Sequence, residues 1–302
     1  MSEYRHPERF LGLDDPSSQR ETSAAWILPI PLDLTTSYLG GTRLGPSAII
    51  EASNQVELYD IEFGVEAAPI YGVSMLPALH PTLASAREAV ESITEAVNAL
   101  DLGDRLLVAL GGEHTLTVGL VAAFAPRYPD LLVVQIDAHS DLRDSFDGTP
   151  YSHACTARRF IEYAPALQLG IRCWCPEEVE FLRRTDRVKV WTAEAIYRDR
   201  ERHYLAELRR AIAGRPVYLT IDLDGLDPSI MPAVGTPEPG GIGWYDCLDV
   251  IRTVAQAGQI VAFDCVELCP IPGGHGSAFA AARLVYKTLN YVMASRGQLK
   301  MR

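Results

Sequence analysis

The chain contains 302 residues, of which 48% are hydrophobic and 22% are charged, a composition typical of a globular protein. Its net charge of −12 argues against nucleic acids and anionic membranes as partners. No apolar run approaches the roughly eighteen residues that cross a bilayer, and the polar N-terminus shows no secretory signal, so we expect a cytoplasmic protein.

Apolar runs rich in β-branched residues alternate with segments of helical periodicity along most of the chain. The runs predict eight strands, at residues 25–30, 69–74, 105–110, 131–136, 166–171, 187–191, 216–221 and 259–264. Helices are predicted at residues 82–100, 115–125, 154–164, 176–184, 204–213, 244–257 and 276–293. Because strands that alternate with helices form right-handed crossovers, the chain is predicted to be an α/β protein with a parallel sheet covered on both faces.

No linker, repeat or charge block divides this alternation. We therefore predict one catalytic domain over residues 25–302, preceded by an irregular N-terminal arm, residues 1–24, that lies on the surface or at a subunit interface. Residues 228–241 are too rich in proline and glycine for a helix and are predicted to form an ordered loop. Most of the six cysteines are interpreted as small core residues in a reducing compartment.

Three polar motifs directly follow predicted strands: GGEH at 111–114, DAHSD at 137–141 and DLDGLDP at 222–228. Side chains two residues apart on an extended strand project to the same side. The carboxyl ends of strands are also where open α/β sheets bind ligands. The motifs are therefore predicted to bring together His114, Asp137, His139, Asp141, Asp222 and Asp224.

Four clustered carboxylates and two imidazoles predict a metal site. Buried carboxylates cannot all stay ionised unless a cation neutralises them. The donors are mainly hard oxygens without a thiolate, which suits Mn²⁺ better than structural zinc. Six donors are too many for one tetrahedral ion but fit two ions roughly 3.5–4 Å apart, which would activate a water molecule. Any one aspartate could instead cap a helix or a turn, and Asp227, which precedes a proline, is interpreted as a turn residue.

In this order and spacing, the three motifs resemble those of the ureohydrolases, the arginase and agmatinase family of binuclear manganese enzymes. Further matches are GTRLGP at 41–46, SHA at 152–154, GTP at 235–237 and VEL at 266–268. The resemblance extends from about Trp26 to about Tyr291. It implies a three-layer fold around an eight-stranded parallel sheet, and a homo-oligomer, either a trimer or a hexamer.

The resemblance also implies two Mn²⁺ ions per chain and a pairing of the ligands. One ion would be bound by His114, Asp137, Asp141 and Asp222, and the other by Asp137, His139, Asp222 and Asp224. Asp137 and Asp222 would bridge the two ions. Glu113 is expected to support the site from behind, holding an imidazole N–H.

Catalytic roles follow from the same resemblance. Asp141 would orient the nucleophile and accept its proton, and His153 would move protons between solvent, nucleophile and departing amine, a task that suits an imidazole. Glu267 would hold the guanidinium through paired hydrogen bonds. Thr236 matches a residue of the substrate loop. Arg43 is expected to tie its glycine-rich loop to neighbouring carbonyls, and His275 lies in a loop near the edge of the site, with its role left open.

The predicted reaction is hydrolysis of a small cationic linear guanidine to urea and an amine. The segments around Arg143 and His153 resemble the agmatinase branch, in which agmatine yields putrescine for polyamine biosynthesis. Asp144 or Asp147 would meet the distal ammonium. Aminopropylagmatine, guanidinobutyrate and arginine remain alternative substrates. A deacetylase with one zinc, or a catalytically silent regulatory or binding homologue, are the alternatives from other classes.

Overall fold

A parallel sheet of eight strands forms the centre of the molecule in the computed structural model, which describes residues 8–300. The strands are β1 (Ala25–Ile30), β4 (Val73–Met75), β5 (Leu106–Gly111), β6 (Leu132–Ile136), β7 (Ala166–Ile171), β8 (Val188–Thr192), β9 (Pro216–Asp222) and β10 (Gln259–Val266), and a small hairpin adds β2 (Tyr59–Asp60) and β3 (Val65–Glu66). The order across the sheet is β4-β1-β5-β10-β9-β6-β7-β8. All neighbours are parallel, so the predicted α/β fold is confirmed.

Helices cover both faces of this sheet. They are α1 (Asp15–Ser18), α2 (Gly45–Ser53), α3 (Ala68–Tyr71), α4 (Ala86–Asn98), α5 (Leu116–Phe124), α6 (Thr156–Phe160), α7 (Pro176–Leu182), α8 (Ala193–Arg198), α9 (His203–Ile212), α10 (Trp244–Ala257) and α11 (His275–Ser295). Helices α4, α5 and α6 pack together on one face, and α2, α9, α10 and α11 on the other. No helix within residues 8–300 is both long and apolar enough to span a membrane.

Alternation along the strands divides the core into two apolar layers. Leu107 and Tyr218 pack in the layer that contains α4 and α5, whereas their chain neighbours Val108 and Leu219 pack in the layer that contains α10 and α11. Both faces of the strands are therefore buried, as expected of a parallel sheet with helices on each side. This is the predicted three-layer arrangement.

The predicted strand at residues 69–74 is wrong in position. Pro69 stands in the first turn of α3, where its missing N–H costs nothing, and the strand begins only at Val73. Gly72, at a φ of 71°, closes the turn between them. Two helices were not predicted from the sequence: α2, which starts at Gly45 and Pro46 inside a glycine-rich segment, and the short α8.

The N-terminal segment is only partly described, since residues 1–7 of the predicted arm lie outside residues 8–300. Phe10 and Leu11 are buried in the core. The Leu11 amide donates to Ser53 Oγ at 2.8 Å. Residues 10–13 are therefore packed in the core beside α2, whereas most of residues 14–22 are exposed at the surface.

Candidate metal centre

The sheet order brings the three polar motifs to one place. Strands β5, β10, β9 and β6 are consecutive neighbours at the middle of the sheet, and their carboxyl ends lie at the same edge. His114 follows β5, Asp222 ends β9, and Asp137 directly follows β6. His114 Nδ1 lies 3.2 Å from Asp137 Oδ2 and 3.1 Å from the Oδ2 atoms of both Asp141 and Asp222.

The ring of His114 is oriented as in a metal ligand. Its Nε2 lies 2.9 Å from Thr220 Oγ1, and a neutral ring that donates to this hydroxyl keeps a lone pair on Nδ1 for a metal ion. Within residues 8–300, Nδ1 has no hydrogen-bond partner of suitable geometry, although three carboxylate oxygens lie within 3.2 Å. Its lone pair and the oxygens therefore converge on a common point, as the donors around a cation do.

A second cluster shares Asp137 with the first. His139 Nδ1 lies 2.9 Å from Asp224 Oδ2 and 3.8 Å from Asp137 Oδ1. Asp137 thus presents one carboxylate oxygen to each imidazole. Ligand atoms of His114, Asp137 and Asp222, and those of Asp137, His139 and Asp224, lie within 4.8 Å of one another in each group. Two adjacent groups that share a carboxylate fit a pair of metal ions.

Electrostatics show how strongly this site needs positive charge. Burial, followed by the neighbouring carboxylates, raises the pKa of Asp222 well above its ordinary value and that of Asp141 to about 7. Burial alone would lower the pKa of His114, but three carboxylates raise it well above the usual value. Protons here perform a neutralising role that a divalent cation can take over.

Neighbouring polar groups hold the carboxylates in place. Gln135 Nε2 donates to Asp137 Oδ2 at 2.7 Å, and the Ala138 amide donates to Asp224 Oδ1 at 3.0 Å. Gln135 and Thr220 were not predicted as site residues from the sequence. Their signal is a polar side chain inside an otherwise apolar buried strand, where it must have a partner.

A cavity of about 220 Å³ opens above the two clusters, with His153, Thr236 and Glu267 in its walls. The His153 amide donates to Thr35 Oγ1 at 2.9 Å, and its ring Nε2 lies 3.2 Å from Ser37 Oγ. Burial lowers the pKa of His153, so its ring is neutral at neutral pH.

Glu267 reaches the cavity from the end of β10. Its Oε1 accepts from the His114 amide at 2.6 Å, and Oε2 accepts no hydrogen bond from residues 8–300. Both Glu267 and Asp141 have positive φ, 66° and 54°, a backbone conformation that side chains other than glycine rarely adopt. Such conformations concentrate at functional sites.

Glu113 does not hold an imidazole, so this expectation is wrong. Its carboxylate accepts from the amides of Leu34 and Thr35 at 2.7 and 2.6 Å, and from Thr35 Oγ1 at 3.0 Å. Because Thr35 also accepts from the His153 amide, Glu113 supports the loop that positions His153. The two oxygens of a carboxylate can accept from three donors of the loop, whereas an imidazole would offer the carboxylate only one N–H.

The structure does not bring Asp144 or Asp147 to the cavity. Asp144 is 65% exposed and is held by Arg159 of α6 at 2.9 Å and by Arg158 at 3.5 Å. Asp147 is exposed in the tight turn that links Phe146 to Thr149, at a φ of 48°. Their predicted contact with a distal ammonium is therefore corrected, because two arginines engage one carboxylate and solvent surrounds the other.

The structure also gives the positions of four further residues discussed from the sequence. Cys173 is half-buried and lines the cavity, so it is not among the cysteines that lie in the core. Arg43 pairs with the Asp33 carboxylate at 3.5 Å and not with carbonyls. His275 starts α11 and does not line this cavity. Asp227 is a turn residue as predicted, accepting from Ser229 and from the amides of residues 240–241.

Comparison with known proteins identifies the family. The sequence pattern of the Arginase family matches residues 23–290. The chain belongs to the arginase family. Arginase-family members are binuclear metal enzymes, and this chain is a hydrolase of carbon–nitrogen bonds in linear amidines.

Individual relatives place the chain within the arginase family. N(1)-aminopropylagmatine ureohydrolase of Synechocystis sp. is 38% identical and covers 94% of each chain. Agmatinase of Bacillus cereus is 34% identical over 83% of this chain and 85% of its own length. The structure of proclavaminate amidino hydrolase from Streptomyces clavuligerus is 28% identical, with a TM-score of 0.85 over 97% of this chain and 98% of that chain.

Proposed function

We propose that this arginase-family member is a manganese ureohydrolase that releases urea from a linear guanidine with an amine tail, agmatine being the first candidate. The observation that carries the proposal is the pair of metal-binding clusters joined through Asp137. They lie on the floor of a cavity whose walls contain His153 and Glu267.

Six residues would hold the two ions. They are His114, Asp137, Asp141 and Asp222 for one Mn²⁺, and Asp137, His139, Asp222 and Asp224 for the other. The donors are six side chains rich in carboxylate oxygen and free of thiolate, which favours Mn²⁺. When bound, the ions would supply the Lewis acidity that generates a nucleophile from water at neutral pH.

Three side chains of the protein would bind the substrate and move protons. Glu267 accepts hydrogen bonds from the guanidinium through its free Oε2 and orients the guanidinium carbon toward the clusters. Asp141, beside His114, holds the attacking water and accepts its proton. His153 gives a proton to the departing amine. Its neutral ring can first take that proton from solvent or from the attacking group.

Two substrates are supported by named relatives. The Synechocystis relative is named for aminopropylagmatine and the Bacillus cereus relative for agmatine. Both molecules carry an amine tail, whereas guanidinobutyrate carries a carboxylate and arginine carries both charges. We propose aminopropylagmatine as the second candidate on the strength of the 38% identity.

Urea release across a substrate panel tests the proposal. Purified protein with added Mn²⁺ is assayed on agmatine, aminopropylagmatine, guanidinobutyrate and arginine, with its Glu267→Gln variant as the control. We expect the highest kcat/KM on one of the two amines and little urea from the control. Urea release that the control retains, or the absence of urea from every guanidine, would contradict the proposed function and favour a silent homologue.

Three predictions made from the sequence remain proposals. These are one catalytic domain over residues 25–302, a homo-oligomer of three or six chains, and a cytoplasmic location. Light scattering of the purified protein measures the oligomeric state directly. A monomer at assay concentration would contradict that part of the proposal.

A further inference from the structure

An amine-tailed guanidine brings a second cation into the cavity, and most of the carboxylates nearby are already engaged. Those of Asp141, Asp222 and Asp224 belong to the metal clusters. Glu178 accepts from Ser140 Oγ and the Leu142 amide through one oxygen and from the Cys175 amide through the other. A partner for the tail must therefore be sought next to the residues that line the cavity.

We propose that Glu238 binds the distal ammonium and sets the preference for amine-tailed guanidines, an inference that rests on the proposed function. A carboxylate oxygen of Glu238, a ring nitrogen of His139 and Cys173 Sγ all lie within 4.8 Å of one another. His139 and Cys173 line the cavity. The Glu238 carboxylate is half-buried. Within residues 8–300 it accepts no hydrogen bond and forms no ion pair. It is therefore available to a ligand.

The backbone of Glu238 is held firmly against the metal-binding segment. Arg172 donates to the Glu238 carbonyl from Nε at 3.2 Å and from Nη2 at 2.7 Å, and its Nη2 also donates to the Asp224 carbonyl at 2.7 Å. Asp227 accepts from the amides of Gly240 and Gly241, at 3.0 Å each. Glu238 is thus anchored on both sides, at a constant position relative to Asp224.

The ligand that suits this position is an ammonium and not a third metal ion. His139 already presents Nδ1 to Asp224 and Asp137 in the second cluster. A neutral imidazole has one lone pair, so its other nitrogen carries a proton and cannot bind another metal. One carboxylate with a thiol is a weak cation cage, but it is sufficient for a charge-assisted hydrogen bond from an amine.

Two residues that line the cavity act on the charge of a substrate tail. The indole of Trp174, next to Cys173, is 37% exposed and lines the cavity, where its face can attract a cation. Arg143 lines the cavity as well, with its guanidinium 5.2 Å from the Phe146 ring. A cationic tail is repelled by Arg143 and attracted by Glu238, so the tail is directed to Glu238.

One subsite at Glu238 can bind the tail of either candidate substrate. Agmatine and aminopropylagmatine each carry a positively charged nitrogen at the same distance along the chain from the guanidine. Glu238 would meet this nitrogen in either molecule, and the extra aminopropyl group would continue toward solvent. Butylguanidine has no tail charge, and guanidinobutyrate has the opposite one.

The test compares Glu238→Gln with wild type, using the Mn²⁺-loaded enzyme, and Glu91→Gln as a control that removes the same charge from an exposed position on α4. Each is assayed on agmatine and on butylguanidine, and its manganese content is measured. For Glu238→Gln we expect kcat/KM on agmatine to fall roughly 10- to 100-fold, mainly through KM. Butylguanidine turnover and manganese content should stay unchanged, as should all values for Glu91→Gln.

Each other outcome counts against the inference. An equal loss on both substrates would show a structural role, and an unchanged agmatine KM would show that the tail binds elsewhere. Loss of manganese from Glu238→Gln would show a metal ligand. If wild type releases no urea from either guanidine, the proposed function fails, and this result is distinct from a failure of the Glu238 subsite.

Discussion

At the scale of single residues, His114 illustrates how the surroundings define a role. A histidine after a buried strand is in most proteins a core residue with a satisfied ring. Here Thr220 contacts Nε2, and Nδ1 faces three carboxylates but has no hydrogen-bond partner of suitable geometry in the described part of the chain. The residue types predict a metal ligand, but only the contacts around the ring show which nitrogen is available.

Loss of His153 should slow turnover without loss of metal. His153→Asn keeps the size of the ring approximately but cannot carry a proton, so kcat should fall roughly 10²- to 10⁴-fold. Manganese content should stay at the wild-type value, measured by elemental analysis. The control is His80→Asn, an exposed histidine outside the cavity, which should keep full activity. An emptied metal position in His153→Asn would show that this histidine is a ligand.

At the scale of elements, close contact between backbone segments governs the strand ends that carry the site. Gly112 follows β5 directly, and a Cβ added there would lie 1.8 Å from the carbonyl oxygen of Leu32. The segment after β1 thus passes against the segment that carries His114. The motif GGEH needs its second glycine because two backbones meet there.

Gly112→Ala should therefore destabilise the protein strongly. The clash involves backbone on both sides and cannot be relieved by a side-chain rotation, so we expect a loss of several kcal/mol, of order 3–5, or failure to fold. The matched change is Gly276→Ala in α11, where a Cβ meets nothing within 4 Å. That variant should be neutral or gain roughly 0.5–1 kcal/mol. Urea denaturation of both variants gives the comparison, and equal midpoints would contradict it.

Asp227 gives the loop of residues 228–241 a pH-dependent anchor. Hydrogen bonds from Ser229, and then from residues 240–241, lower the pKa of Asp227 from 3.8 to about 2. A carboxylate with a lowered folded-state pKa adds stability above its unfolded pKa and loses it as pH falls through the folded value. Asp227→Asn should thus be less stable than wild type at pH 6, by at most about 1 kcal/mol given its solvent exposure. The difference in unfolding free energy between wild type and Asp227→Asn should narrow between pH 4 and pH 2 in urea denaturation curves. A difference that stays constant over this range would exclude this anchor.

At the scale of the whole molecule, one edge of the sheet collects residues that are far apart in the sequence. Glu267 accepts from the amide of His114 across 153 positions of the chain, and the two clusters contain ligands from three motifs. Uncompensated buried carboxylates oppose folding, and a bound cation offsets their repulsion. Metal occupancy should consequently influence the stability of the molecule as well as its activity.

Removal of metal tests this link. Exhaustive chelation should abolish urea release and lower Tm, and added Mn²⁺ should restore both, because a ligand that binds only the folded state stabilises it. Zn²⁺ and Mg²⁺ added in place of Mn²⁺ serve as controls for metal identity. Activity and Tm that survive chelation unchanged would exclude a metal function for the two clusters.

The sequence by itself determined the α/β fold, seven of the eight strand positions and the group of six candidate ligands. These features depend on local periodicity and on motifs that directly follow strands, so a single segment contains the information. The strand at residues 69–74 was misplaced because Pro69 and Gly72 permit a helical turn that apolar content does not reveal.

Only the tertiary structure decided which polar residues outside the motifs reach the site. Asp144 and Glu238 are both acids in loops, and their local sequences do not show that Arg158 and Arg159 engage the first while Arg172 holds the second beside the cavity. Their positions depend on contacts between segments 14 to 66 residues apart, because packing of separate helices and loops against one sheet sets those distances. Charge and residue type are local properties, whereas the direction in which a loop carboxylate points is a property of the whole fold.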